Sequence, residues 1–264
     1  MRTFLFVCCL LSASCGYTRN PAAPDTLAPN PKEYAVLFQQ VAAEYRALCY
    51  QAFNIAALRL QQIPKRQFRK GRLAIVTDLD ETILDNSYSD AQLIKDDKPF
   101  NVPDWKKWLS RSAATGVPGA VAFLQAAAAK GVTIFYISNR DTGDRMTTLD
   151  NLQKLQLPNA DTAHMLFARP NESSKEGRRQ QVAASYNIIL LMGDNLNDFM
   201  NIFEGRAIAD RFAETDKMRE EWGKKFIVLP NASYGEWENA VYDYRHGLTP
   251  AEKEALRRAK LTAF

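Results

Sequence analysis

Histidine and cysteine are scarce in this chain. Only two histidines, His164 and His246, and four cysteines occur in 264 residues. Three of the cysteines, Cys8, Cys9 and Cys15, crowd the first fifteen positions and leave Cys49 alone in the rest. No cluster with zinc-ligand spacing can be assembled from that set. A disulfide framework is excluded once the N-terminal cysteines are cleaved off or modified, so stability must come from an apolar core. The hydrophobic share, 46%, is large enough to supply one. Charge of one sign is lacking too. Thirty-four basic residues against thirty acidic ones give +4 with no long basic run, which does not argue for nucleic acid. There is no internal repeat, and the apolar run at residues 4–11 is too short to span a bilayer.

That run is nevertheless organised. Arg2 precedes it, and Ser12, Ala13 and Ser14 lead from it to Cys15. One charge, an apolar stretch and small residues are the layout of a secretory signal peptide. The cysteine directly after them resembles a bacterial lipobox, in which the cysteine carries lipid and becomes the new N-terminus. Ser12 stands where leucine is usual, with Leu11 one place earlier. The alternative is an ordinary signal peptide with an incidental cysteine. The expected divisions are a signal peptide over 1–14, a lipidated N-terminus and flexible Pro/Ala-rich tether over 15–30, and a folded domain over 31–264.

Asn30-Pro31 reads as a helix start. Tyr34, Leu37, Phe38, Val41, Tyr45, Leu48, Ala52 and Ile55 follow at steps of three and four, which predicts one amphipathic helix ended by Pro64, with this stripe in the core. Strand and helix signals then alternate. Short apolar runs fall at 73–77, 132–137, 188–192 and 226–229, and an alanine-rich helix runs from Val117-Pro118 to Gly131. Apolar strands separated by helices predict an α/β fold, a parallel sheet covered on both faces. Residues 31–70 and 83–116 are expected to form a smaller helical cap. The last sixteen residues look like a capped polar helix.

In such sheets, sites lie beyond the carboxyl ends of the strands. The first strand ends in Asp78-Leu79-Asp80-Glu81-Thr82, the second in Ser138-Asn139-Arg140, the third in Gly193-Asp194-Asn195-Leu196-Asn197-Asp198, and NESSKEGRR with Lys175 lies between the last two. Packed carboxylates repel and raise each other's pKa. A hard divalent cation with oxygen ligands removes that cost, and Asp78, Asp194 and Asp198 are candidate ligands for Mg²⁺. Taken singly, each residue has a plainer reading: Asp80 as a helix cap, Ser138 and Asn139 as turn formers, Lys175 as a solvated side chain with Arg178 and Arg179 as neighbours. Together and in order they form a set.

That set, DLDET, SN, a lysine and GDNxxD, resembles the haloacid dehalogenase (HAD) superfamily of aspartate-nucleophile phosphatases over residues 73 to about 230. With KPF followed by DW and with LPNASYGEWE, it is similar to the class C bacterial acid phosphatases, a family that includes lipoprotein 5′-nucleotidases. The resemblance implies a HAD-like Rossmannoid sheet, Asp78 as nucleophile and Asp80 as general acid and base. It implies Mg²⁺ held by Asp78, Asp80, Asp194 and Asp198, the phosphoryl group held by Ser138, Asn139 and Lys175, and a nucleobase held by Trp105 and Tyr234, which as core aromatics have another reading. Glu81, Thr82 and Asp85 are read as supporting or capping residues. The expected partners are small phosphomonoesters such as nucleoside monophosphates, the membrane through lipid on Cys15, and a second copy of the chain; nucleic acid is not among them. The expected location is the bacterial outer membrane, facing periplasm or surface. A phosphotransferase would use the same residues with another acceptor. A dehalogenase would need neither Mg²⁺ nor Asp80, and a non-catalytic surface lipoprotein would not need the four aspartates.

Overall fold

The computed structural model describes residues 30–264. The signal-peptide, lipobox and tether readings, including Cys15, lie outside the described residues. None of the described helices is long and apolar enough to cross a membrane.

Eleven helices and seven strands are described. They are α1 (Glu33–Val41), α2 (Ala43–Gln62), α3 (Lys65–Lys70), β1 (Leu73–Thr77), β2 (Leu84–Asp85), α4 (Ser87–Lys95), α5 (Val102–Leu109), β3 (Thr115–Gly116), α6 (Ala120–Ala129), β4 (Thr133–Asp141) and α7 (Arg145–Lys154). Next come β5 (Met165–Ala168), α8 (Glu176–Ala183), β6 (Asn187–Gly193), α9 (Ile208–Lys217), β7 (Phe226–Val228), α10 (Glu236–Val241) and α11 (Pro250–Ala259). Five strands form one parallel sheet in the order β5-β4-β1-β6-β7. The four expected strands are its inner part and one edge. β5 was not expected; its four residues are too few to stand out from their polar surroundings.

Alternation along each strand explains the two layers. Leu73, Ile75, Ile134, Tyr136, Leu190 and Met192 face a core shared with Tyr45, Cys49, Phe53 and Ala56 of α2 and Phe123 and Leu124 of α6. Ala74, Val76, Phe135, Ile137 and Leu191 face the other way, against Val182 of α8, Phe199 and Phe226. Every residue of β1 is buried, as a central strand covered on both faces must be.

The long N-terminal helix is instead two helices. Ala42 is extended, with φ −80° and ψ 127°, and no proline or glycine marks the break. The turn lets Gln39 donate to Asp85 at 2.8 Å and Gln40 to Ser87 at 3.1 Å. It also puts the expected stripe out of phase. Tyr34 and Val41 are 83% and 74% exposed, and Leu37, Phe38 and Leu48 are exposed with them. Tyr45 and Ala52 of the stripe are buried as expected and Ile55 packs against the core, but Val36, Cys49, Phe53, Ala56 and Leu60, with Gln39, are buried beside them.

The insert after β1 leaves and returns through one two-residue ribbon, β2 paired antiparallel with β3. Asp85, one residue before the N-cap Asn86, accepts from the Ser87 N–H at 3.0 Å where α4 begins. Asn101 caps α5 by accepting from the Asp104 N–H, with Pro103 in the first turn. The C-terminal helix is capped as expected, by a box in which Thr249 and Glu252 each bond the other's backbone N–H.

Candidate active site

β1 is the middle strand, and the chain crosses from one side of it to the other between β5 and β6. The crevice beyond its carboxyl end is therefore the switch point of the sheet. Asp78 is the first residue past β1. Its N–H is pinned to the Met192 carbonyl at 2.9 Å, and its side chain is 9% exposed. Asp194 and Asp198 come from the turn after β6. Carboxylate oxygens of the three lie within 4.8 Å of one another.

Close approach requires Gly193. A Cβ there would overlap the side chain of Asp198, so any other residue would force the turn outward. Asn195 and Asp198 close the turn as a capping box, the Asp198 carboxylate accepting from the Asn195 N–H at 3.0 Å. Arg179 fastens the same turn by donating to the carbonyls of Asn197 and Asp198. Asp194 accepts from Thr82 at 3.1 Å and from Asn231 at 2.8 Å.

Lys175 reaches this cluster, while its neighbours Arg178 and Arg179 do not. Its buried ammonium bonds Asp78 and, at 2.7 Å, Asp198. Burial works against that charge, but Asp198 and Asp78 outweigh it and hold the lysine above its ordinary range. Burial pushes the Asp78 carboxyl well above the carboxylate range; Lys175 pulls against it, and Asp198, Asp194 and Asp80 add to the rise. Asp194 is pushed up to about 7, by burial first and the Asp198 charge second. One ammonium does not balance three carboxylates.

β4 runs on through the Ser138-Asn139 pair, and its register with β5 shifts between Ser138 and Asp141. Such an irregularity re-aims side chains at a sheet end. Ser138 is fully buried and its Oγ accepts from the Arg140 N–H at 3.1 Å. Asn139 is more open. Its amide donates to the Ser173 carbonyl at 2.8 Å and accepts from Arg178 at 2.7 Å. Arg178 also bonds the Ser138 carbonyl, so it ties the two lysine- and serine-bearing segments together.

Asp80 stands on the other side of the rim. It is bonded by Arg140, with Nη2 at 2.6 Å, and by the Asn86 amide at 2.8 Å. Glu81 beside it is in the left-handed region at φ 57°, a conformation that costs free energy outside glycine. Its carboxylate accepts from the Asn86 N–H and from the Tyr234 hydroxyl. Burial, then the Asp80 charge, raise Glu81 to about 8. The ring of Tyr234 carries Lys32 at 5.5 Å, and that of Trp105 carries the Arg140 guanidinium at 5.6 Å. A polar cavity of about 220 Å³ adjoins the rim, lined by Asn139, Lys175, Asn197, Asp198, Glu204 and Glu236 among others.

The arrangement matches known proteins closely. The model of the HAD superfamily, subfamily IIIB (acid phosphatase), covers residues 11–237. The chain belongs to this family. The class C acid phosphatase from Bacillus anthracis with tungstate bound is 39% identical, over 88% of this chain and 97% of that one, with a TM-score of 0.83. A second structure of the Bacillus anthracis enzyme gives 38% identity at the same coverage and TM-score. As an acid phosphatase of subfamily IIIB, the protein acts on small phosphomonoesters, and the HAD-like parallel sheet expected from the sequence is present.

The acid phosphatase rim suits a divalent cation. Its donors are carboxylate oxygens, its burial penalises their uncompensated charge, and the described histidines are elsewhere, with His164 bonded to Asp161. An all-oxygen set favours a hard ion over zinc. Sequence reasoning missed Arg140, Asn86 and Asn231, which meet their carboxylates across gaps of 60, 6 and 37 residues. Arg140 follows the Ser138-Asn139 pair directly, and that adjacency was the signal available.

Proposed function

We propose that this acid phosphatase is Mg²⁺-dependent, hydrolyses 5′-nucleotides, and works through an aspartyl phosphate on Asp78. The observation that carries the reading is the contact of buried Asp78 with Lys175, inside a group of three converging carboxylates. The Bacillus anthracis relative was solved with tungstate, a tetrahedral oxyanion like phosphate. A rim with one buried ammonium and the Ser138-Asn139 pair suits the same shape here.

Asp78, Asp194 and Asp198, with the backbone carbonyl of Asp80, would hold the ion. When bound, Mg²⁺ would neutralise charge between the nucleophile and the phosphoryl oxygens. An Asp78 oxygen attacks phosphorus and the bond to the leaving oxygen breaks. Asp80 gives its proton to that oxygen. In the second half, Asp80 takes a proton from water as the water oxygen attacks phosphorus. The phosphorus–Asp78 bond then breaks, releasing inorganic phosphate and restoring both carboxyl groups. Lys175, Ser138 and Asn139 hold phosphoryl oxygens throughout.

Two rings support the nucleotide reading. Trp105 lies against the arginine that bonds Asp80, and Tyr234 is hydrogen-bonded to Glu81 beside it. Each ring is thus one residue removed from Asp80, the acid proposed to protonate the leaving group. Stacking on them would accept any base, since every base has a π-face. The test is hydrolysis of nucleoside monophosphates and p-nitrophenyl phosphate by purified protein, with Mg²⁺ and with chelator. Full activity in chelator, or no preference for nucleotides, would overturn the corresponding part.

We also infer export and lipidation at Cys15, with the domain tethered to the outer membrane and a second copy as partner. The layout of residues 2–15 supports the anchor. Cys15→Ser should move the protein from membrane to soluble fractions; a wild type already soluble would refute it.

A further inference from the structure

The general acid and base needs a fixed orientation, and the contacts around Asp80 are lopsided. Its Oδ1 accepts from Arg140 Nη2 at 2.6 Å, from Arg140 Nε at 3.1 Å and from Asn86 Nδ2 at 2.8 Å. Among the described residues, its Oδ2 accepts only from Arg140 Nε, at 3.2 Å. One oxygen is saturated with donors and the other is left to exchange a proton.

Both donors are themselves held by α5 of the insert or by buried partners. Arg140 is 5% exposed, donates to Thr148 of α7 at 2.9 Å, and lies against Trp105 of α5. Asn86 is 4% exposed and accepts from the indole N–H of Trp108, also of α5, at 2.8 Å. An indole nitrogen can only donate. The Asn86 oxygen must therefore face Trp108, which turns the amide nitrogen onto Asp80. Trp108 thus fixes the sense of the Asn86 amide, and the amide fixes Oδ1.

We propose that Arg140, Asn86 and Trp108 are positioning residues that lock Asp80 Oδ1 and leave Oδ2 as the oxygen that gives and takes the proton. The proposal rests on the acid and base reading of Asp80 above. Helix α5 then does more than cover the site. It sets the aim of the acid through two relays that arrive from separate segments and meet on one oxygen. An error of about 1 Å in such a group can cost on the order of a hundredfold in rate.

The test uses Arg140→Lys, which keeps the charge and loses the fork, and Trp108→Phe, which keeps the ring against Tyr88 and loses the N–H. Turnover is measured on Mg²⁺-supplied protein with aryl phosphates of rising leaving-group pKa, alone and combined with Asp80→Asn. Each variant should lose about tenfold with poor leaving groups and little with p-nitrophenyl phosphate. Neither should lose more when Asp80 is already Asn. Equal losses along the series, losses that add to those of Asp80→Asn, or no loss would overturn the proposal. Failure of both variants to fold, judged by circular dichroism, would make the role structural and overturn it as well. If one variant folds, it decides. If Asp80→Asn itself shows no leaving-group dependence, the acid reading falls and takes this with it. If Asp80→Asn does and the two variants do not, only the positioning role falls.

Discussion

Asp78 and Asp80 are one residue type, two positions apart, on opposite sides of one rim. Asp78 faces Lys175, Asp194 and Asp198, where carboxylates outnumber cations and burial pushes the group toward its neutral form. Asp80 faces a forked guanidinium and an amide, and its side chain keeps 19% of its exposure. The first side is short of positive charge. On the second side Arg140 and Asn86 supply the partners, most of them on Oδ1. Under the proposed mechanism, identical carboxyl groups serve as nucleophile and as acid because their surroundings differ, the general logic by which one fold runs both chemistries.

The sharpest way to break that contrast is Asp78→Asn. Turnover should fall on the order of 10⁴–10⁶-fold, as for other nucleophiles removed from a working site. Metal-free stability should hold or rise, because a repelled, buried carboxylate is gone while Asp198 still pairs Lys175. Steady-state assays and thermal melts check both. A variant that keeps most of its rate is not missing its nucleophile.

Next in size is Gly193→Ala, which attacks the first side without touching a carboxylate. The new methyl overlaps Asp198 at Cβ as well as at the carboxylate, so the turn must move. Overpacking of this kind costs about 1–3 kcal/mol. Mg²⁺ affinity, read by calorimetric titration, should drop by about ten- to a hundredfold, as for lost supporting contacts around metal ligands. Unchanged affinity would mean that Asp198 is not needed near the ion.

What the sequence made legible follows the same division. Asp78 and Asp194 could be placed because each directly follows an apolar strand, and Asp198 because it lies one turn past Asp194; strand ends in a parallel sheet converge. Lys175 could be chosen over Arg178 and Arg179 only through family resemblance, yet it is the one that reaches Asp78. The partners of Asp80 were not legible. Arg140 meets it across 60 residues, and the Asn86–Trp108 bond depends on how an insert folds back through a two-residue ribbon. The α1–α2 break was invisible for a related reason: Gln39 and Gln40 bond residues 46 and 47 positions away, and no local breaker announces the turn.

Trp105→Ala probes the second side more gently. The ring lies on Arg140, but Asp80 and Thr148 still hold that guanidinium. The Michaelis constant for nucleoside monophosphates should rise roughly ten- to a hundredfold at most, the worth of one stacked base. A small aryl phosphate offers less surface and should change less. Equal effects on both would assign Trp105 to the fold rather than to the base.

Stability against pH sorts the two sides by what metal does to them. Glu81 beside Asp80 titrates near 8 in the folded protein against an ordinary 4.5, and Asp194 near 7 against 3.8. Between those limits the native state binds more protons than the unfolded chain, so stability must fall as pH rises. The penalty begins above the unfolded values, about pH 4, and is complete above the folded ones, about pH 8. Melting temperatures of metal-free protein should therefore drift down across that window. Mg²⁺ should remove the Asp194 share, because an ion at that side compensates the charge that burial penalises. The Glu81 share should persist with Mg²⁺ and shrink in Glu81→Gln, which cannot ionise. Melts at several pH values, in chelator and in Mg²⁺, separate the two. The same slope with and without Mg²⁺ would mean that Asp194 does not face the ion, and the contrast between the two sides of the rim would have to be redrawn.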